Sequence, residues 1–178
     1  PIHQPQDWNS EYHAPALVGA VVELLHGSPI VLDGTLGGGG HSAALLDAEV
    51  ARVVGIDRDP DALAAAALRL AEPMAAGRFT AYRGNYADLA AIPALDGVQF
   101  TGILLDLGIS SHQIDDATRG FSFREGAPLD MRMDPAGPRT AADLLDEATE
   151  RELTGIFRDH GDEPRGARLA REIVRRRA

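Results

Sequence analysis

The residues best equipped for chemistry sit in four short stretches, each closing an apolar run. They are Asp33 with Gly34-Thr35-Leu36 and the four glycines Gly37 to Gly40, then Asp57, then Gly84-Asn85-Tyr86, then Asp106. A glycine run lets the backbone approach a ligand closely, and the acid ending the next run is placed to accept hydrogen bonds from both hydroxyls of an adenosine ribose. Gly38-Gly39-Gly40-His41-Ser42-Ala43 also satisfies the loose dinucleotide fingerprint, which is a weak signal alone because most glycine runs are turns. Tyr86 offers a ring to an adenine, and Asp106 offers a charge to the amino end of an amino-acid moiety. A core aromatic and a turn-capping acid would look the same in sequence. Taken together, the four stretches suit an adenosine ligand with a charged amine and no pyrophosphate better than they suit a dinucleotide.

Such a site needs elements that bring the four stretches to one place. Ile30-Val31-Leu32, Arg52 to Asp57, Arg78 to Arg83 and Gly102 to Asp106 are short β-branched or apolar runs suited to buried strands. Between them lie helical patterns: Tyr12 to Gly27, His41 to Asp47, and an alanine-rich stretch from Pro60 to about Ala71 that Asp59 can cap. Strands alternating with helices predict right-handed crossovers and a doubly wound parallel sheet, with the ligand at the carboxyl ends of the strands where the strand order reverses. Residues 109 to 140 break this rhythm and read as a long functional loop. Ala141 to His160 and Arg165 to Arg177 read as helices. The expected division is residues 1–111 as the ligand-binding portion and 112–178 as a loop with the start of a helical insertion.

The 178 residues suit one core with an appended lobe. With 44% hydrophobic and 25% charged residues the composition is that of an ordinary globular chain. No window approaches a membrane span, and Pro1 to Ser10 lack a signal-peptide layout, so a cytoplasmic location is expected. The absence of cysteine excludes disulfides and thiol chemistry. Six histidines without ligand spacing predict no metal. A net charge of −10 argues against a surface that grips nucleic acid all over, leaving a local basic face.

The motifs themselves are distinctive. His13-Ala14-Pro15, Asp33 to Ser42, Gly55-Ile56-Asp57-Arg58-Asp59-Pro60 and Leu104 to Ser111, together with Arg119-Gly120-Phe121-Ser122-Phe123 and Gly126 to Pro135, resemble the MraW family of ribosomal RNA small subunit methyltransferases. The resemblance runs over nearly the whole chain, and a string such as Leu129 to Pro135 is required by no generic nucleotide-binding fold. The departures are His112 where the family usually has proline, Tyr86 where it has phenylalanine, and Ala16 where valine is common. The family's chain is longer and returns from a helical insertion to complete the sheet with further strands.

The resemblance implies a Rossmann-like class I methyltransferase fold, α/β and incomplete over these residues. It also implies methylation of N4 of a cytidine in the decoding region of 16S rRNA, within the small ribosomal subunit, using S-adenosylmethionine. Carried over by position, the cofactor contacts fall on Gly39, Gly40, His41, Asp57, Tyr86, Asp106 and Gln113. Asp106, or the carbonyls of Leu107 and Gly108, would accept from the target amine as the catalytic group, unless Asp106 serves the cofactor's own amine. Phe121, Phe123, Arg119, Arg124 and Arg132 suit splayed RNA, or alternatively a packed lobe with arginines paired to Asp115, Asp116 and Asp130. In a chain of just this length the fourth strand keeps an open edge, which predicts a homodimer. The rival readings are an NAD-dependent oxidoreductase, from the fingerprint and Asp57, and a truncated, non-catalytic fragment that binds cofactor or RNA.

Overall fold

A computed structural model describes residues 15–177. Tyr12, His13 and Ala14 of the first expected helix and motif lie outside the described residues. Two compact units divide the chain, the first ending at Asp115 and the second beginning at Asp116.

In the first unit, β1 (Ile30–Asp33), β2 (Arg52–Asp57), β3 (Phe79–Arg83) and β4 (Gly102–Leu104) form one sheet in the order β3-β2-β1-β4. Every pairing is parallel, with Val31 opposite Val53 and Gly102, and Val53 opposite Phe79. The order runs outward from β1 through β2 to β3, then returns to place β4 on the far side of β1. The reversal therefore falls between β1 and β4, and this is a Rossmann-like, doubly wound arrangement, which the expected class I methyltransferase fold shares.

Because successive strand residues face opposite ways, each strand feeds two cores. Val31 and Val53 point to a cluster with Leu45, Leu46 and Val50 of α2 (Gly40–Asp47) and its exit, Ala66 of α3 (Pro60–Arg69), and Leu70 and Phe79; Val21 and Leu25 of α1 (Val18–Leu25) pack against it. Leu32, Val54 and Ile56 point the other way, onto Ile92 and Leu95 from two 3₁₀ turns between β3 and β4. That second face is covered over β2, whereas Ile103 of β4 and the following Leu105 are exposed.

Local chemistry sets several boundaries. α3 ends at Leu70, and a separate turn of helix, α4 (Ala71–Ala75), follows, so the alanine-rich stretch is two helices. The fourth strand is shorter than the apolar run predicts, ending at Leu104. In the 109–140 stretch a short helix, α5 (Ser111–Asp115), precedes the boundary.

The second unit contains α6 (Ala141–Glu147), α7 (Glu150–Asp159) and α8 (Gly166–Arg177). The single helix expected over 141–160 is interrupted at Ala148-Thr149, because Thr149 and Glu152 form a capping box that starts α7 afresh. Leu153 and Ala170 are buried between α7 and α8, with Leu144, Phe157, Ile173 and Val174 around them.

Candidate active site

The carboxyl ends of the four strands gather Asp33, Asp57, Tyr86 and Asp106 around the glycine loop. Each reaches its place for a local reason. Asp33 ends β1 and is 1% exposed; its Oδ2 accepts from the Ser42 hydroxyl of α2 at 2.7 Å and its Oδ1 from the Thr35 N–H at 3.3 Å. Burial raises its carboxyl from 3.8 to about 6, against the opposing pull of Ser42, His41 and the Thr35 N–H. Asp33 thus anchors the loop from below and is closed to a ligand.

Asp57 ends β2 and is half-buried. Its Oδ2 accepts from the Gly37 N–H at 2.8 Å and its Oδ1 from the Asp59 N–H at 3.0 Å, so the acid tethers the glycine loop to the second strand. Burial pushes its carboxyl upward, with the two N–H groups opposing. Each oxygen keeps a further lone pair for a hydroxyl donor.

The loop itself needs glycine at two telling places. Gly39 caps α2 with φ 76°, a left-handed conformation costly to any residue with a Cβ. At Gly40 a Cβ would come within 2.9 Å of the Pro15 ring, so the glycine admits that ring against the start of α2. His41, the next residue, is buried. Its Nε2 lies 2.7 Å from the Ala16 carbonyl, which only accepts, so Nε2 carries the proton. Nδ1 then faces Oδ2 of Asp106 at 3.9 Å.

Asp106 follows β4. Its N–H donates to the Thr35 hydroxyl at 2.7 Å, which fixes the exit of β4 to the loop after β1. Its carboxylate stays partly exposed, at 37%. Tyr86 opens the turn after β3 and is 41% exposed. Its Cβ lies where a side chain on Gly34 would be, 3.0 Å from an ideal Cβ there, and Leu105 crowds the same point at 2.6 Å. Gly34 is therefore a requirement of the site that sequence reasoning passed over.

Gln113, in α5, is buried and draws on both ends of its amide: Nε2 donates to Oδ2 of Asp59 at 3.1 Å, and Oε1 accepts from the Ser110 N–H at 3.0 Å. All seven residues expected to contact a cofactor thus belong to the first unit. Two further participants were quoted in the motifs without a role: Ser42, which holds Asp33, and Thr35, which holds the Asp106 N–H.

In the second unit the arginine-and-aromatic stretch separates into two kinds of residue. Arg119 is buried and donates to the carbonyls of Arg132 and Met133, at 3.3 and 3.0 Å. Arg132 forks onto Asp130, whose carboxyl it holds below the usual range, and also reaches the Gly137 carbonyl at 2.9 Å. Both brace the loop; Arg132 does so through Asp130, as the packed alternative supposes, and Arg119 through carbonyls. Phe123 is fully exposed, which that alternative does not explain, and Arg124 beside it is also at the surface. Of the 17 basic residues, all arginine, only Arg52, Arg58, Arg69, Arg78 and Arg83 precede Asp116, so positive charge concentrates in the second unit.

Among the described residues no group of three or more histidine and acidic side chains could hold a metal, and no helix is long and apolar enough to cross a membrane.

Against known proteins, a family model described as the MraW methylase family matches residues 10–178. The ribosomal RNA small subunit methyltransferase H of Gemmatimonas aurantiaca is 53% identical over 173 residues, covering 97% of this chain and 55% of that protein. The protein of the same name from Heliobacterium modesticaldum is 49% identical, over 94% of this chain and 55% of its own length. The chain spans about half the length of the curated relatives it matches. Among solved structures, the O-methyltransferase TomG from Streptomyces achromogenes, in complex with SAM, aligns over 93% of this chain and 70% of its own with TM-score 0.45 and 20% identity.

Proposed function

Because the chain belongs to the MraW methylase family, we propose that it is the cofactor-binding portion, with the start of the helical insertion, of an S-adenosylmethionine-dependent methyltransferase acting on N4 of a cytidine in the decoding region of 16S rRNA. The observation that carries the reading is the convergence of two partly exposed carboxylates, Asp57 and Asp106, on one glycine loop at the sheet's reversal point.

The donor set suits such a ligand. Asp57 accepts from ribose hydroxyls, and Tyr86 presents an open ring to the adenine. Oδ2 of Asp106, 3.9 Å from Nδ1 of His41, is an acceptor open to the ligand's ammonium. Gly39 and Gly40 let the loop close against Leu70 and Pro15 and so set the start of α2 beside Asp57 and Asp106, and Gln113 contributes the second N–H of its amide. The residues named at the strand tips are acidic or neutral, which favours a ligand without a pyrophosphate.

Bound there, S-adenosylmethionine supplies an electrophilic methyl group on a positively charged sulfur. In-line transfer then needs alignment and exclusion of water rather than a protein nucleophile. The cytosine amine is a poor nucleophile because its lone pair is delocalised into the ring. An acceptor on its N–H lets the nitrogen pyramidalise, and Asp106 or the carbonyls of Leu107 and Gly108 are the groups at the exit of β4 that can provide one. For the RNA, Phe123 and Arg124 are the exposed pair able to stack on a splayed base and contact its phosphate, within the small ribosomal subunit as substrate.

Titration calorimetry with S-adenosylhomocysteine and with NADH tests the cofactor. Binding of the former alone is expected, and tight binding of NADH alone would restore the oxidoreductase reading. Methylation of immature small subunits, run with this chain and with a longer version carrying the rest of a relative's length, tests the activity. In the active form Asp106→Asn should lower turnover by about tenfold or more, and unchanged turnover with unchanged cofactor affinity would remove Asp106 from both proposed roles.

A further inference from the structure

We propose that Asp59 is a positioning residue: through Gln113 it locks the segment after β4 to the turn after β2, and so fixes the spacing of the two walls of the strand-tip crevice. This goes beyond the cofactor contacts and rests on the reading that the crevice holds an adenosine ligand through Asp57.

Asp59 is 1% exposed, so its carboxylate is closed to any ligand. Its hydrogen bonds are made within the protein. The backbone N–H donates to Oδ1 of Asp57 at 3.0 Å, its own Oδ1 accepts from the Asp61 N–H at 3.1 Å to cap α3, and its Oδ2 accepts from Gln113 at 3.1 Å. Gln113 is fixed in turn. The Ser110 N–H can only donate, so the amide oxygen must face it and the amide NH₂ must face Asp59; the Gln113 N–H also reaches the Ser110 hydroxyl at 3.2 Å.

Two features separate this from ordinary helix capping. A cap needs one oxygen, which asparagine would supply equally well. With asparagine at position 59 and its oxygen on the cap, however, an NH₂ would meet the NH₂ of Gln113, so the acid is required by Gln113 and not by the helix. The bond also joins groups 54 residues apart, from the exits of strands that lie on opposite sides of β1. It therefore spans the end of β1, holding the segment that follows Asp106 to the turn that orients Asp57.

The test exchanges donor and acceptor. Asp59→Asn sets two amino groups face to face, and Gln113→Glu sets two carboxylates face to face. The double variant restores a match: the introduced amide keeps the cap contact through its oxygen, its NH₂ donates to the introduced carboxylate, and that carboxylate still accepts from the Ser110 N–H. Two readouts are taken on the chain, amide hydrogen exchange over 107–115 and the Kd for S-adenosylhomocysteine. Each single variant should speed exchange in that segment and weaken binding about tenfold; the double should return exchange to the parental value and recover part of the lost affinity, the rest being the amide N–H that a carboxylate at 113 no longer offers the ligand. Single variants that match the parent, or a double no better than the weaker single, overturn the proposal. Should a single variant fail to fold, a double that folds supports the pairing and one that does not overturns it. Should the parent not bind S-adenosylhomocysteine, the cofactor reading falls, while the exchange arm still decides the role of Asp59.

Discussion

Replacing Asp33 with asparagine should make the protein more stable at neutral pH than at acid pH, relative to the parent. Burial at the end of β1 raises the Asp33 carboxyl from 3.8 to about 6. The folded chain therefore holds a proton there up to about pH 6, while the unfolded chain releases it near 3.8. That extra proton stabilises the fold fully below about pH 4, and the contribution is lost as pH rises through about 6. At about 1.4 kcal/mol per pH unit, the ionised carboxylate costs the parent about 3 kcal/mol at neutral pH. Asparagine carries no charge, still accepts from the Thr35 N–H, and offers an N–H to the Ser42 hydroxyl. Any fixed difference in hydrogen-bond quality is the same at every pH and cancels when profiles are compared. Urea unfolding of both proteins from about pH 4 to about pH 7.5 should show the variant gaining about 3 kcal/mol on the parent across that range. Parallel profiles, with a gain under about 1 kcal/mol, would refute the idea that Asp33 is ionised at a cost inside the sheet.

Gly55→Ala should destabilise the first unit by about 1–3 kcal/mol, since a Cβ there would sit 2.7 Å from Leu36 Cδ1; combining it with Leu36→Ala should leave less than the sum of the two losses, as read by urea unfolding. Thr149→Ala removes the cap that restarts the helix after Ala148 and should cost about 1 kcal/mol in the second unit, with faster amide exchange in the first turn of α7 as its local signature.

Much of the first unit was legible because its signals are local. A β-branched run reads as a buried strand wherever it lies, and Asp59-Pro60 announces a helix start. The motif residues at the strand tips could be named for the same reason, since each directly follows such a run. What the sequence hid was either cooperative or distant. Thr149 with Glu152 three residues on is a local capping signal, but the helical pattern running through 141–160 masked it, and so α6 and α7 read as one helix. Gly34 looked like one more flexible residue, although its meaning is steric and comes from Tyr86 and Leu105. Arg119 and Arg132 could be read as RNA contacts or as partners of nearby acids, because charge is all the sequence displays. Their carbonyl and carboxylate partners appear only once the loop is folded.

The aspartates at the strand tips show why residue type alone underdetermines role. Asp33, Asp57 and Asp106 each close an apolar run, and Asp59 stands two residues beyond one, so local pattern treats all four nearly alike. Position in the sheet separates them. Asp33 ends β1, a strand flanked on both sides, and α2 closes over it, so it is buried and tied to Ser42. Asp59 is turned inward by its cap and by Gln113. Asp57 and Asp106 lie on either side of β1's end, beside the reversal of strand order, and their carboxylates stay partly exposed. On the proposed reading a ligand that satisfies both presents donors at two places, hydroxyls to one and a charged amine to the other. The two buried acids would then hold the frame in which one molecule meets both demands. Loss of Asp33 or Asp59 should therefore act on stability and spacing, loss of Asp106 on affinity with the frame intact, and loss of Asp57 on both, since its oxygens also hold the Gly37 and Asp59 N–H groups.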